Sequence, residues 1–327
     1  MRCTNRKRKP VLLCAILMIF CVLTGCGSLP YDMPYDADFS VSSFNVVSRH
    51  DSRVAEAFAR DLCVVTGDFS GSGNVNMDQA KAAVLFSLND SRVLFSKNPH
   101  LELSPASLTK VMTALVALKN GRLDQVLTAT NSVNINESGA VLLGLKVGDT
   151  MTLDQALRIM LLYSANDVAM LVAEGVGGTV ENFVAMMNEE ANRLGATNTN
   201  FVNPHGLTAD KHYTTAYDLY LIFNEAIKYE TFREIIQMTS YQTTYYDSRG
   251  NEISVDKRTT NLFLRGDYQA PSSVTVIGGK TGTTAAAGHC LMLLSRDVGG
   301  ASYISIIMGS SSSDTLYPEM ADLLGES

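Results

Sequence analysis

Ser107 and Lys110 stand three residues apart at the head of an apolar-patterned segment, Ser107-Leu-Thr-Lys-Val-Met-Thr113. On a helix that spacing puts both side chains on one face, where they can meet. A serine hydroxyl is a weak nucleophile until a base takes its proton. A lysine is such a base only when neutral, which requires burial or a neighbouring cation to lower its pKa. A second cation is available in Lys280-Thr-Gly-Thr283. A helix N-terminus would also point backbone N–H groups at Ser107 and at the oxyanion of an attacked carbonyl. Between these segments lies Ser164-Ala-Asn166. Its hydroxyl could pass a proton from Lys110 to a leaving amine, and Asn166 could hold a substrate amide. Lys280, Thr281 and Thr283 could bind a terminal carboxylate, and Gly282 would let substrate backbone lie against the strand edge.

Each triplet also has an inert reading. Ser107 and Lys110 could be surface residues of an amphipathic helix. Ser164-Ala-Asn166 could be an N-cap for the helix that follows. Lys280 to Thr283 could be a strand-end turn. Together and in order, the three supply a nucleophile, a base, a proton relay and a carboxylate anchor. Other chemistries find less support. His205, in Asn203-Pro-His-Gly-Leu207, is a lone histidine, more often structural than catalytic. The five His are scattered and no H-E-x-x-H occurs, so no metal site is expected. No serine lies in G-x-S-x-G, which argues against an ordinary α/β-hydrolase. The glycines of 67–76 are not followed by Gly-Lys-Ser/Thr, so no phosphate loop is expected. No cofactor is implied.

These residues must be positioned by a chain of 327 residues, enough for one large or two fused domains. Its 46% hydrophobic and 18% charged content are ordinary for a globular protein. Residues 1–26 read as a targeting segment. Five basic residues between Arg2 and Lys9 precede the 13-residue apolar run Val11–Leu23. That run is shorter than the ~20 residues of a spanning helix and fits a signal peptide. It ends in Leu23-Thr-Gly-Cys26, which resembles the bacterial lipoprotein box and makes Cys26 the expected lipid-bearing first residue. The other reading is an ordinary signal peptide with a chance Cys. Cleavage would remove five of the 26 basic side chains and none of the 33 acidic ones, leaving −12. That charge argues against nucleic-acid binding and against a polybasic membrane patch. Membrane attachment would then rest on acyl chains at Cys26. Of the six Cys, only Cys63 and Cys290 lie in the remaining domain, and both are expected as buried free thiols.

Residues 27–47 read as a tether and 48–327 as the domain. A short helix is expected over 50–62. Ala82–Leu88 and Arg92–Phe95 read as strands of a hairpin around Asn89-Asp-Ser91. A helix follows from Ser107 to about Lys119, stopped by Gly121. Thr152-Leu-Asp-Gln155 is a capping box opening a helix through Leu162. Further helices are expected over 167–174, 179–194 and 215–229, with Gly195 as a C-cap. After about 240 the pattern turns to strands: Val274–Gly279, His289–Ser295 and Tyr303–Met308, then a short closing helix. Strands, then helices, then strands imply an α/β (α+β) fold. Its sheet draws on both ends of the chain and brackets a mostly helical insert over about 125–235.

The order S-x-x-K, S-x-N, K-T-G resembles the signature of serine penicillin-binding proteins and β-lactamases. From about residue 80 onward the chain resembles the D-alanyl-D-alanine carboxypeptidases, low-molecular-weight penicillin-binding proteins of serine peptidase family S11. The resemblance extends to Pro105–Thr113, Leu145-Lys-Val-Gly-Asp149, Leu161–Asp167, Asn203–Leu207 and Gly279–Thr283 followed by Ala287-Gly288. It implies a β-lactamase/transpeptidase-like fold, an antiparallel sheet flanked by helices with the insert as the other wall of a cleft. It also implies that Ser107 attacks the carbonyl between two D-alanines of a peptidoglycan stem peptide. Lys110 would be the base, Ser164 the relay, and Asn166 a substrate contact. Lys280, Thr281 and Thr283 would hold the carboxylate, and the N–H groups of Ser107 and Thr283 would form the oxyanion hole. β-Lactams would be inhibitors, no cofactor would be needed, and the enzyme would sit on the extracytoplasmic face of a bacterial membrane. Longer members carry a β-rich C-terminal domain and an anchor helix. Neither is expected here, and the lipoprotein box would replace the anchor. Thr283 stands where relatives often have an aromatic residue or His. Two other readings stay open: a class A-like β-lactamase, although no Glu-x-x-x-Asn follows Ser-Ala-Asn, and a non-catalytic wall-associated lipoprotein.

Overall fold

The computed structural model describes residues 62–71 and 75–327. The targeting segment, Cys26, the tether and nearly all of the helix expected over 50–62 lie outside the described residues. Strand β1 (Phe69–Ser70) falls inside the glycine-rich stretch 67–76 and pairs with residues 95–96. Every residue of β2 (Ala82–Ser87) is buried, as a continuous apolar run requires of a central strand. It turns at Asn89–Ser91 into β3 (Arg92–Lys97), with Ser91 at φ 51°. A 3-10 turn over Ala106–Leu108 leads into helix α1 (Thr109–Asn120).

Two short strands, β4 (Val126–Thr128) and β5 (Thr150–Thr152), come next. Helix α2 (Leu153–Tyr163) opens on the Thr152/Gln155 capping box. It ends at Ser164, whose left-handed φ of 70° breaks the chain before α3 (Asn166–Gly177). Thr179 caps α4 (Val180–Arg193), and Gly195 turns the chain at φ +81° just beyond it. Thr215 caps α5 (Ala216–Ala226), and α6 (Glu230–Ile236) follows. The hairpin of β6 (Ser240–Tyr246) and β7 (Glu252–Arg258) joins β4 and β5 in a four-stranded sheet of order β4-β5-β6-β7. After α7 (Leu262–Arg265) come β8 (Val274–Thr284), β9 (Gly288–Asp297), β10 (Ser302–Ser310) and the closing helix α8 (Ser313–Leu324).

The main sheet has the order β1-β3-β2-β10-β9-β8, and all its pairs are antiparallel. The pairing of β2 with β10 joins the two ends of the domain, as the strand–helix–strand order requires. Alternation along each strand divides the core. Val84, Phe86, Met292, Ile304 and Ile306 face the cluster that includes α1, α2, α3 and α5. Ala83, Leu85, Leu291, Leu293 and Ile307 face α8. Burying one face under each layer fixes the register, because a one-residue slip would turn every apolar side chain to the wrong layer. Strand β8 is left at the sheet edge, with its Lys280–Thr283 segment beside the turn that carries Ser107.

Candidate active site

Ser107 lies in the 3-10 turn, just ahead of α1 rather than inside it. The preceding Ala106 is fully buried at φ +47°, a conformation that costs an L residue energy and persists only when its surroundings impose it. The carbonyl of Ala106 accepts the hydroxyl of Thr109 at 2.8 Å, and Thr109 Oγ1 lies 2.9 Å from His212 Nε2. His212 Nδ1 accepts the backbone N–H of Val202 at 3.0 Å, which leaves the ring proton on Nε2 to donate to Thr109. Burial pushes His212 down to about 4, so the ring stays neutral and this tautomer persists at neutral pH. Gly206 closes the other side. A Cβ there would stand 1.8 Å from the Ala106 oxygen, and its φ is +87°. Only glycine fits.

The segment 203–207 serves through its backbone. Pro204 O accepts from Thr113 Oγ1 at 2.6 Å, and His205 O accepts from Lys110 Nζ at 2.6 Å. The His205 ring is turned to the N–H of Leu207 and held down to about 3 by burial and by Lys110. The lone histidine therefore reaches Lys110 through its carbonyl and not its imidazole.

Lys110 is completely buried. Its Nζ donates to Ser107 Oγ at 2.9 Å and Asn166 Oδ1 at 2.7 Å as well as to His205 O. Burial drives its pKa well below 10.5, and the charge of Lys280 lowers it further, against a smaller opposing pull from Asp167. An ammonium with this lowered pKa gives up its proton readily, and the neutral amine is then in hydrogen-bond contact with a hydroxyl. This is the arrangement that activates a serine.

Ser164 and Lys280 form a second pair. Lys280 is 1% exposed, and its Nζ donates to Ser164 Oγ at 2.9 Å and to Thr281 O at 2.8 Å. Burial lowers it to about 7. Ser164 is thus paired with Lys280 and not with Lys110. The Lys280 amine is committed to Ser164 and to the Thr281 carbonyl, and Lys280 is not among the residues that bound the cleft. Asn166 is likewise buried, with its oxygen on Lys110. Thr281 Oγ1 lies 2.5 Å from Thr260 Oγ1, and Thr283 is exposed at the cleft lip. Gly282 faces the turn that carries Ser107. A Cβ there would come within 3.0 Å of Ser107 N and 3.1 Å of Ala106 Cβ, so the missing side chain lets β8 close up to the turn.

An open cleft of about 240 Å³ lies over these groups, bounded by Ser107, Ser164, Thr281–Thr283 and Val141 among others. Val141 is placed by a residue that sequence reasoning gave no role, Asp167. Its carboxylate accepts the N–H groups of Leu143, Gly144 and Leu145 at 2.8–3.0 Å, while Asn166 N bonds Val141 O at 2.8 Å. His212 and Thr109 carry no such signal either, since they stand 103 residues apart in sequence. Among the described residues no three His, Cys, Asp or Glu side chains group as a metal ion would need. Cys63 and Cys290 are free and buried.

A model of the D-alanyl-D-alanine carboxypeptidase family, peptidase S11, matches residues 72–312. The D-alanyl-D-alanine carboxypeptidase DacF of Bacillus subtilis is 34% identical over 243 residues, covering 71% of this chain and 58% of the relative. DacC of Escherichia coli is 30% identical over 255 residues, with 75% and 60% covered. The chain thus spans about three fifths of these relatives' length. Among solved structures, the Streptomyces K15 DD-transpeptidase matches with a TM-score of 0.70 at 26% identity, over 80% of this chain and 98% of that one. A D-alanyl-D-alanine carboxypeptidase from Mycobacterium tuberculosis matches with a TM-score of 0.69 at 28% identity, over 79% and 95%. The turn of Ser107, the two buried lysines and the edge strand stand in a mixed α/β penicillin-binding fold, and the chain belongs to the peptidase S11 family of D-alanyl-D-alanine carboxypeptidases.

Proposed function

We propose that the protein is a serine-type D-Ala-D-Ala carboxypeptidase that trims peptidoglycan stem pentapeptides through an acyl-enzyme on Ser107, and that β-lactams acylate the same atom. The observation that carries this reading is the completely buried Lys110 amine, depressed in pKa, 2.9 Å from Ser107 Oγ at the floor of an open cleft. Lys110 takes the hydroxyl proton as Ser107 Oγ bonds the carbonyl carbon between the two D-alanines. The resulting oxyanion meets the N–H of Ser107 and that of Thr283, the strand neighbour of Gly282. The pair Lys280–Ser164 supplies a proton to the departing D-alanine nitrogen, which breaks the peptide bond and leaves an ester on Ser107. Water then attacks the ester as the deprotonated Lys280–Ser164 pair takes its proton, and Lys110 returns the proton it holds to Ser107 Oγ as the shortened peptide leaves. Asn166 holds Lys110 in place, and the hydroxyl of Thr283 faces the substrate's C-terminus.

The test is intact mass against time for protein mixed with benzylpenicillin. A long-lived adduct that maps to Ser107, absent in Ser107→Ala, is the expected outcome. A Ser107→Ala protein that still releases D-alanine would sink the proposal. An adduct that vanishes while penicillin is consumed would make the protein a β-lactamase instead.

The segment 1–26 supports a second part of the reading: export, cleavage before Cys26, and lipid attachment to that thiol, which leaves the domain tethered at the extracytoplasmic face of a bacterial membrane. A basic stretch, a 13-residue apolar run and Leu23-Thr-Gly-Cys26 in immediate succession are its support. Cys26→Ala should move the protein from the membrane fraction to the soluble one or leave it as uncleaved precursor. A mature protein that stays on membranes without Cys26 would refute lipid anchoring there.

A further inference from the structure

The cleft has a gap in its chemistry. A peptide C-terminus is an anion with two oxygens that must be met by several donors. Lys280 is buried and committed to Ser164 and to the Thr281 carbonyl, and Thr281 Oγ1 is engaged by Thr260. Among the residues that bound the cleft, the one basic side chain is His289.

His289 lies on β9 directly opposite Thr283 of β8. Cross-strand partners project from the same side of a sheet, so ring and hydroxyl meet at the cleft lip. His289 Nδ1 is 3.4 Å from Thr283 Oγ1 and 3.2 Å from Ser313 Oγ, at the start of α8. Three elements thus bring polar groups to one spot beyond Ser107: a hydroxyl from β8, an imidazole from β9 and a hydroxyl from α8. With Nδ1 turned toward the two hydroxyls, Nε2 is the ring nitrogen left to face a ligand. We infer that His289, with Thr283 and Ser313 beside it, is the specificity-determining group that recognises the free C-terminal carboxylate of the substrate. The inference rests on the carboxypeptidase reading and adds to it the residue that distinguishes a free C-terminus from a blocked one.

The test uses two peptides that end in D-Ala-D-Ala, one with a free carboxylate and one with a C-terminal amide, on wild type, H289A, H289L and H289Q. In wild type the free acid should be preferred. H289A should raise KM for the free acid about tenfold or more, with kcat changed little and the amide peptide within about twofold, so that the preference collapses. H289L, which fills the volume without a donor, should behave the same way and carries the test if H289A does not fold. H289Q keeps an N–H near the place of Nε2 and should restore most of the preference. A folded H289A or H289L that keeps the wild-type preference, or a wild type with no preference, overturns the inference and spares the carboxypeptidase reading. A wild type that hydrolyses neither peptide and forms no penicillin adduct overturns both.

Discussion

A Lys110→Arg protein is expected to be acylated by benzylpenicillin about 10³-fold more slowly than wild type, measured as the rise of the covalent adduct by mass spectrometry. Arginine keeps a positive charge and hydrogen-bond donors, so the exchange separates two roles for Lys110. If Lys110 works as a fixed cation that steadies negative charge, arginine should retain much of the rate. If it works as a base, arginine fails, because a guanidinium stays protonated. The surroundings favour the base. Burial and the neighbouring Lys280 both disfavour the ammonium, and among the described residues no carboxylate pairs directly with Nζ, whose three partners are the Ser107 hydroxyl, the Asn166 amide oxygen and the His205 carbonyl. Those same three acceptors leave little room for a planar guanidinium. Lys110→Met, unbranched and uncharged, is therefore the companion variant, and thermal unfolding shows which of the two is intact. A well-folded variant of either kind within tenfold of the wild-type rate would remove Lys110 from the role of base.

How much of this was legible in the sequence depends on how local each interaction is. The i, i+3 spacing of Ser107 and Lys110 is a short-range fact, and it survives even though the serine sits in a 3-10 turn instead of the α-helix. The capping box at Thr152 and the apolar central strand β2 are local in the same sense. The second sheet was not legible. Its strands β4 and β5 have three residues each, too short to show a period. Its hairpin β6–β7 is a half-exposed run of Ser, Thr, Tyr and charges with little apolar contrast between faces. Pairing of the polar groups was equally hidden. The sequence suggests that Ser164 could serve Lys110, but the left-handed turn at Ser164 aims its hydroxyl at Lys280, 116 residues away. Gly282 reads as room for substrate, whereas the strand uses it to approach the turn of Ser107. His212 cannot be tied to the nucleophile from sequence, since its link runs through Thr109 to the carbonyl of a strained Ala106.

The two buried lysines make a further prediction about pH. Acylation by benzylpenicillin should rise with pH along a limb that lies well below the 10.5 of an ordinary lysine, as Lys110 gives up its proton. Replacing Lys280 with methionine, of similar length and without charge, should move that limb to higher pH and lower the plateau by about 10²-fold. The sign follows from the causes of the shift. Desolvation disfavours the Lys110 ammonium, and a positive Lys280 disfavours it further. Without that charge Lys110 holds its proton to higher pH. The displacement belongs to pH values at which Lys280 is itself protonated, below about 7. Above that, wild type has lost the charge whose removal the variant mimics. The plateau falls for a separate reason: methionine cannot donate to Ser164 Oγ, so the hydroxyl facing the leaving nitrogen loses its proton source. The two effects are separable in one experiment, since position and height of the limb are read independently. Coincident limbs with a lowered plateau would mean that burial alone tunes Lys110 and that Lys280 acts only through Ser164. A displaced limb with an unchanged plateau would leave Lys280 as an electrostatic partner and take the proton-supplying role away from the Lys280–Ser164 pair.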